Sequence, residues 1–171
     1  MRKRALNLGS GQRPFTSTEE IEWCNVDSQE RWNPDVCCDA SRLPFPDGSA
    51  DYVVLHHVLE HFGCGEGQFL LYEAWRVLKP GGSLLVFVPD LKALAQRWLA
   101  GGLTTQIYVT NLYGAYMGSE DDRHKWGFDE ATLKEFLNSM IWSQYSSFNW
   151  RHIPGADIAK DFWILGAECV K

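Results

Sequence analysis

The chain has 171 residues, 45% hydrophobic and 13% aromatic, with eight tryptophans and a formal net charge of −6. That length suits one domain with a core large enough to fold without disulfide or metal support, and the apolar content excludes disorder. A mildly acidic chain whose only basic run is Arg2-Lys3-Arg4 is poorly suited to gripping nucleic-acid phosphates.

The basic start runs into a short strand, Ala5-Leu6-Asn7-Leu8, which ends at Gly9. It lacks the long apolar stretch of a signal peptide. A second strand, Glu22–Val26, ends at Asp27, and a third, Asp35–Cys38, ends at Asp39. Pro46-Asp47-Gly48-Ser49 is turn chemistry ahead of Tyr52-Val53-Val54-Leu55, a continuous apolar run of the kind found in buried parallel strands. From Glu66 to Leu78 the spacing turns helical, with Leu70, Ala74, Val77 and Leu78 on one face and Lys79-Pro80-Gly81-Gly82 as the stop. Ser83–Val88 reads as a fifth strand and Leu91–Leu99 as a helix closed by Gly101-Gly102. Asp129 is placed to cap a helix carrying Leu133, Phe136, Leu137 and Met140. Ser143–Trp150 and Asp161–Val170 read as two strands with no helix between them, hence an antiparallel edge pair.

Strands alternating with helices predict a single α/β domain over 1–171, a Rossmann-like doubly wound sheet of about seven strands. The segment from Thr104 to Gly127 fits no element, and its Tyr108, Tyr113, Tyr116 and Trp126 suggest an ordered lid inserted over a substrate. No apolar run is long enough to span a bilayer. The cysteines at 24, 37, 38, 64 and 169 are odd in number and contain no CxxC pair. They read as reduced thiols in a cytoplasmic protein.

In an open α/β sheet, ligands sit beyond the carboxyl ends of the strands. There the sequence places Gly9-Ser10-Gly11, Asp27, Asp39 and His56-His57, one group after each of the first four strands. Glycines let a ligand approach the backbone. A carboxylate after the second strand can accept both hydroxyls of a ribose, and one after the third an adenine amino group. The Gly9-to-Asp27 spacing also suits a dinucleotide, but that fingerprint needs G-x-G-x-x-G opening a helix, and position 14 is Pro14. NAD is therefore the weaker adenosine ligand.

Leu6-Asn7-Leu8-Gly9-Ser10-Gly11 resembles the first motif of class I S-adenosylmethionine-dependent methyltransferases. Cys38-Asp39-Ala40, Leu43–Asp51, His57-Val58-Leu59-Glu60-His61 and Arg76–Gly82 continue the resemblance in order, in the pattern of the type 11 methyltransferase group. The likeness is strong over roughly residues 5–90. It implies S-adenosylmethionine as cofactor and S-adenosylhomocysteine as product. Gly9, Ser10 and Gly11 would face the methionine part and ribose, Asp27 the ribose hydroxyls, and Asp39 and Ala40 the adenine. His56 would border the sulfonium through its backbone. The family's sheet has seven strands, the last antiparallel. Two departures stand out: Arg13 replaces a third glycine, and only about a dozen residues join the first two strands, near the lower limit for a helical crossover. The first crossover helix is therefore expected to be shortened or absent. The chain starts at the first strand, so no N-terminal helical lid is expected.

His57, His61 and His124 are candidate catalytic bases, since imidazole takes a proton from a hydroxyl or amine near neutral pH. Tyr113, Tyr116 and Trp126 are candidate substrate contacts, and Asn111 could bond acceptor polar groups. His57-x-x-Glu60-His61 also matches the H-x-x-E-H pattern of inverted zinc peptidases, but that site needs a long helix and a third ligand downstream. No metal is therefore expected, and Glu60 and His61 alternatively only orient the loop after the fourth strand. The reading is methyl transfer to an oxygen or nitrogen of a small molecule, with neither nucleic acid nor membrane as partner and the oligomeric state open. A non-catalytic binding protein of the same fold and an NAD enzyme are the alternatives.

Overall fold

Apolar runs bounded by turns form the strands of one sheet. The computed structural model describes residues 2–148, 153–156, 158 and 163–171. The strands are β1 Lys3–Leu8, β2 Ile21–Asp27, β3 Val36–Cys37, β4 Ala50–His56, β5 Leu78–Pro89, β6 Gln144–Phe148 and β7 Ile164–Val170. Their order is β3-β2-β1-β4-β5-β7-β6. β1 to β5 are parallel, and β7 runs antiparallel to both β5 and β6. The strand order reverses direction between β1 and β4, which opens a crevice at their carboxyl ends.

The helices are α1 Cys64–Val77, α2 Leu91–Leu99, α3 Thr105–Tyr113 and α4 Glu130–Leu137. Their caps follow the local chemistry: the Asp90 carboxylate accepts from the Lys92 and Ala93 amides, the Thr104 hydroxyl from Ile107, and Asp129 from Thr132. At the other end of α1, the Lys171 ammonium donates to the Trp75 and Leu78 carbonyls at 2.7 Å each. α3 corrects the reading of 104–127 as a segment without elements. Its apolar residues follow no single stripe, so its periodicity is faint, and none of its residues is buried. Among the described residues, no helix is long and apolar enough to cross a membrane.

The two faces of the sheet are covered differently. On one, Leu6, Leu8, Val53, Leu55, Leu84 and Val86 pack against Leu70, Leu71, Ala74 and Val77 of α1 and Leu133 and Leu137 of α4. On the other, Ala5, Trp23, Val54, Leu85, Phe87 and Ile164 are covered by Phe15, Ile153 and Ile158, which belong to coil. The first crossover helix is absent, as expected, and the β2–β3 and β3–β4 connections also lack an α-helix. Buried Asn25 supplies the bonds that a helix would have made internally. Its Oδ1 accepts from the Phe15 amide (2.7 Å) and from Asn7 Nδ2 (2.9 Å), and its Nδ2 donates to the Phe15 carbonyl (3.0 Å). The coil cover is closed by Thr16 N donating to Gly155 O and Trp23 Nε1 to Pro154 O, both at 2.9 Å. Gly155 has φ +79°, and a Cβ there would strike the Thr16 carbonyl oxygen, so only glycine fits.

Candidate active site

A cavity of about 830 Å³ lies over the carboxyl ends of the strands, within the usual size of a small-molecule site. Gly9 and Gly11 lead out of β1 with φ of +66° and +49°. A Cβ on Gly9 would come within 2.5 Å of Val58 Cγ2. The turn is held by Ser10 N donating to Val26 O at 3.0 Å. Asp27, the last residue of β2, is buried; its Oδ2 accepts from Gly11 N (2.8 Å) and its Oδ1 from Gln29 N (2.9 Å). Each carboxylate oxygen keeps a lone pair for a further donor. Asp39 Oδ1 accepts from the Ser41 amide and hydroxyl, both at 2.8 Å. Ala40, Cys38 and Trp32 line the wall beside it.

At the end of β4, burial, followed by the neighbouring His57 and Arg13, lowers the pKa of His56 to about 3. His57 stands in the left-handed region at φ +58°, a conformation held only where surrounding contacts enforce it. Its Nδ1 lies 3.0 Å from Glu60 Oε1. Glu60 is 1% exposed, in a 3-10 turn over Leu59–His61. Burial raises its pKa, but the bond to His57 and the nearby His57, His124 and His61 outweigh that and hold the carboxyl below its ordinary range. The turn is fastened to a distant segment by the Lys125 and Trp126 amides, which donate to the Glu60 carbonyl at 2.8 and 3.0 Å.

His124 arrives on that segment. Its Nδ1 lies 2.9 Å from Asn111 O, and its ring packs edge-on against His61 at 4.8 Å between centroids. His61 Nδ1 lies 3.2 Å from Arg123 O. Burial lowers the pKa of His124. Across the mouth, Arg31 donates to Met117 O at 2.7 Å and pairs with Asp122 at 3.4 Å.

The cavity thus gathers Gly9, Ser10, Gly11, Asp27, Asp39, Ala40, His56, His57, His61, Asn111 and His124, all singled out from sequence. Tyr113, Tyr116 and Trp126, the candidate substrate contacts, are not among the lining residues and are exposed by 60%, 60% and 46%. Thr110 and Asn111 of α3 and Ala115 and Met117 of the coil beyond it line the cavity. Tyr108 is occupied in stacking on Trp98. Trp32, Met117 and Lys125 also line the cavity and were not read from sequence. Nothing local marks them, because their places depend on pairings such as Arg31 with Asp122, 91 residues apart.

A family model described as a methyltransferase domain, of type 11, matches residues 16–86. The match begins just past the glycine turn. A demethylmenaquinone methyltransferase from Mycobacterium sp. (strain KMS) is 29% identical over 186 aligned positions, covering 91% of this chain and 76% of that protein. Among solved structures, a SAM dependent methyltransferase from Archaeoglobus fulgidus shares the fold with a TM-score of 0.64 at 16% identity, covering 99% of this chain and 86% of the other. The 1,6-didemethyltoxoflavin-N1-methyltransferase of Burkholderia thailandensis, solved with its substrate and S-adenosylhomocysteine, gives 0.58 at 15% identity, covering 99% and 71%.

Proposed function

We propose that the chain is a class I S-adenosylmethionine-dependent methyltransferase, a reading supported by the family match and the methyltransferase relatives, and that it methylates an oxygen or nitrogen of a small molecule bound against residues 110–125. The observation that supports this is the continuity of one cavity from the β1–β3 strand ends to His57, Asn111 and His124. S-adenosylmethionine, when bound, supplies a methyl group on a sulfonium. Gly9, Ser10 and Gly11 would receive the methionine part and ribose, the free lone pairs of Asp27 the ribose hydroxyls, and Asp39 and Ala40 the adenine. His56 would border the sulfonium. Its low pKa keeps its ring neutral beside that cation.

The acceptor would then sit on the far side of His57. With Nδ1 engaged by Glu60, the His57 ring can accept a hydrogen bond at Nε2 from an acceptor hydroxyl or amine. Alignment for in-line displacement is the main service such a cavity offers. The test is incubation of the protein and S-adenosylmethionine with fractionated small-molecule extracts, reading S-adenosylhomocysteine release and the site of methylation. Methyl found on oxygen or nitrogen is expected. Methyl found only on carbon would overturn the acceptor assignment. Tight S-adenosylhomocysteine binding with no turnover on any fraction would favour a non-catalytic binding protein.

A further inference from the structure

The sequence reading sets a metal aside because H-x-x-E-H lacks a third ligand. The fold supplies one. Glu60, His61 and His124 each present a ligand atom within 4.8 Å of the other two. His124 is brought to Glu60 by the Lys125 and Trp126 amide bonds described above. The 3-10 turn carrying Glu60 and His61 is not the long helix of an inverted zinc peptidase, so that enzyme class does not follow.

The hydrogen-bond pattern decides what the three groups can hold. His61 and His124 each have Nδ1 against a backbone carbonyl, Arg123 O and Asn111 O. A carbonyl only accepts, so each Nδ1 carries the proton and each Nε2 is left as a lone pair. Glu60 Oε1 already accepts from His57. Glu60 Oε2 is completely buried and has no protein partner. His124 Nε2 stands 4.0 Å from Glu60 Oε1, too far for a hydrogen bond and with no proton to share. The ligand atoms of the three residues therefore lie within 4.8 Å of one another, and among the described residues no hydrogen bond joins them. An imidazole whose far N–H is fixed by a carbonyl is the usual arrangement of a metal-ligating histidine.

We propose that Glu60, His61 and His124 form a site for a divalent transition-metal ion, with two imidazoles and one carboxylate as ligands. Such a set leaves coordination positions open. His61 and His124 line the cavity whereas Glu60 lies behind them, so the open positions face the cavity. There the ion would hold an acceptor oxygen or nitrogen by its lone pair. That use rests on the acceptor reading above; the binding of the ion does not.

The test uses the whole chain, stripped by chelator and titrated with Zn²⁺ by calorimetry and with Co²⁺ by visible absorption, which separates thiolate from nitrogen and oxygen ligation. One ion per chain is expected, with a Co²⁺ spectrum free of thiolate charge transfer. His61→Ala, a partly exposed position, and the isosteric Glu60→Gln should each weaken Zn²⁺ by at least about tenfold, the low end of what loss of even an outer partner costs. S-adenosylhomocysteine affinity and the circular dichroism spectrum should be retained. No stoichiometric ion in the wild type, equal Zn²⁺ affinity in both folded variants, or a thiolate spectrum from the free cysteines would overturn the proposal. Failure to bind S-adenosylhomocysteine with Zn²⁺ binding intact would instead strike the functional reading and leave the metal site standing.

Discussion

At the strand ends, the side chains that line the cavity are tied to backbone close by: Asp27 to Gly11 and Gln29, Asp39 to Ser41. At the opposite end the ties run between loops far apart in sequence, Arg31 to Met117, His61 to Arg123, and Lys125 to Glu60. The first arrangement places a few groups in the same way wherever the strands are parallel. The second leaves the pocket's shape to the residues of one long segment. For the methyl transfer proposed above, that division matches a cofactor site and a separate acceptor site.

The largest effect expected at the strand-end region is acid sensitivity. With His56 titrating near 3 in the folded chain against 6.5 ordinarily, the unfolded chain binds a proton that the folded one refuses as pH falls below 6.5. Stability should fall by about 2 kcal/mol between pH 6.5 and 4.5, the slope approaching roughly 1.4 kcal/mol per pH unit well below 6.5. Urea midpoints at the two pH values, for the wild type and His56→Phe, check this. Equal slopes in both proteins would place the acid sensitivity elsewhere. Next in size, Asp27→Ala should weaken S-adenosylhomocysteine by about 10- to 100-fold, the worth of a charge-assisted hydrogen bond, while the acceptor KM stays level. Calorimetry and kinetics together decide it.

The opposite end should give the mirror image. Asn111→Ala and Met117→Ala should raise the acceptor KM several-fold, as loss of an ordinary contact does, with S-adenosylhomocysteine affinity unchanged. If cofactor affinity falls instead, residues 110–125 cover the cofactor. A finer probe is Asp39→Ala, which should cost a few-fold in affinity and blur discrimination between adenosine and inosine forms of the ligand. The smallest effect belongs to Tyr113→Ala and Tyr116→Ala: turnover within about twofold of wild type, as suits exposed side chains. A large loss would show that the segment closes further over its acceptor.

The strand-end half was legible because its information is local. A strand that stops at glycine or aspartate carries its own ligand group, so Gly9, Asp27 and Asp39 could be named from the residues beside them. His124 could be named as a candidate, but not its proximity to Glu60 and His61, which depends on a link across 65 residues between the Lys125 amide and the Glu60 carbonyl. α3 was missed because a helix with no buried residue prints no apolar stripe. Aromatic content names a side chain's chemistry but not its exposure, so the sequence carries no sign that Tyr113 and Tyr116 are 60% exposed. Polar residues inside strands, such as Asn7 and Asn25, give no sign that they replace a helix. Positions 149–150, at the end of the first of the two final predicted strands, and 161–162, at the start of the second, lie outside the described residues.

The coil-covered face of the sheet bears on the order in which the chain assembles. α1 follows β4 and precedes β5 directly, so its face can form from neighbouring residues early. The other face is complete only when residues 153–156 reach the 15–23 region, as in the Trp23–Pro154 bond, which spans 131 residues. Closing so long a loop carries an entropic penalty that short-range contacts avoid, and slows the steps that depend on it. In refolding, helical signal should therefore return before the capacity to bind S-adenosylhomocysteine. The Gly9–Gly11 turn leads into the coil that Gly155 fastens through Thr16.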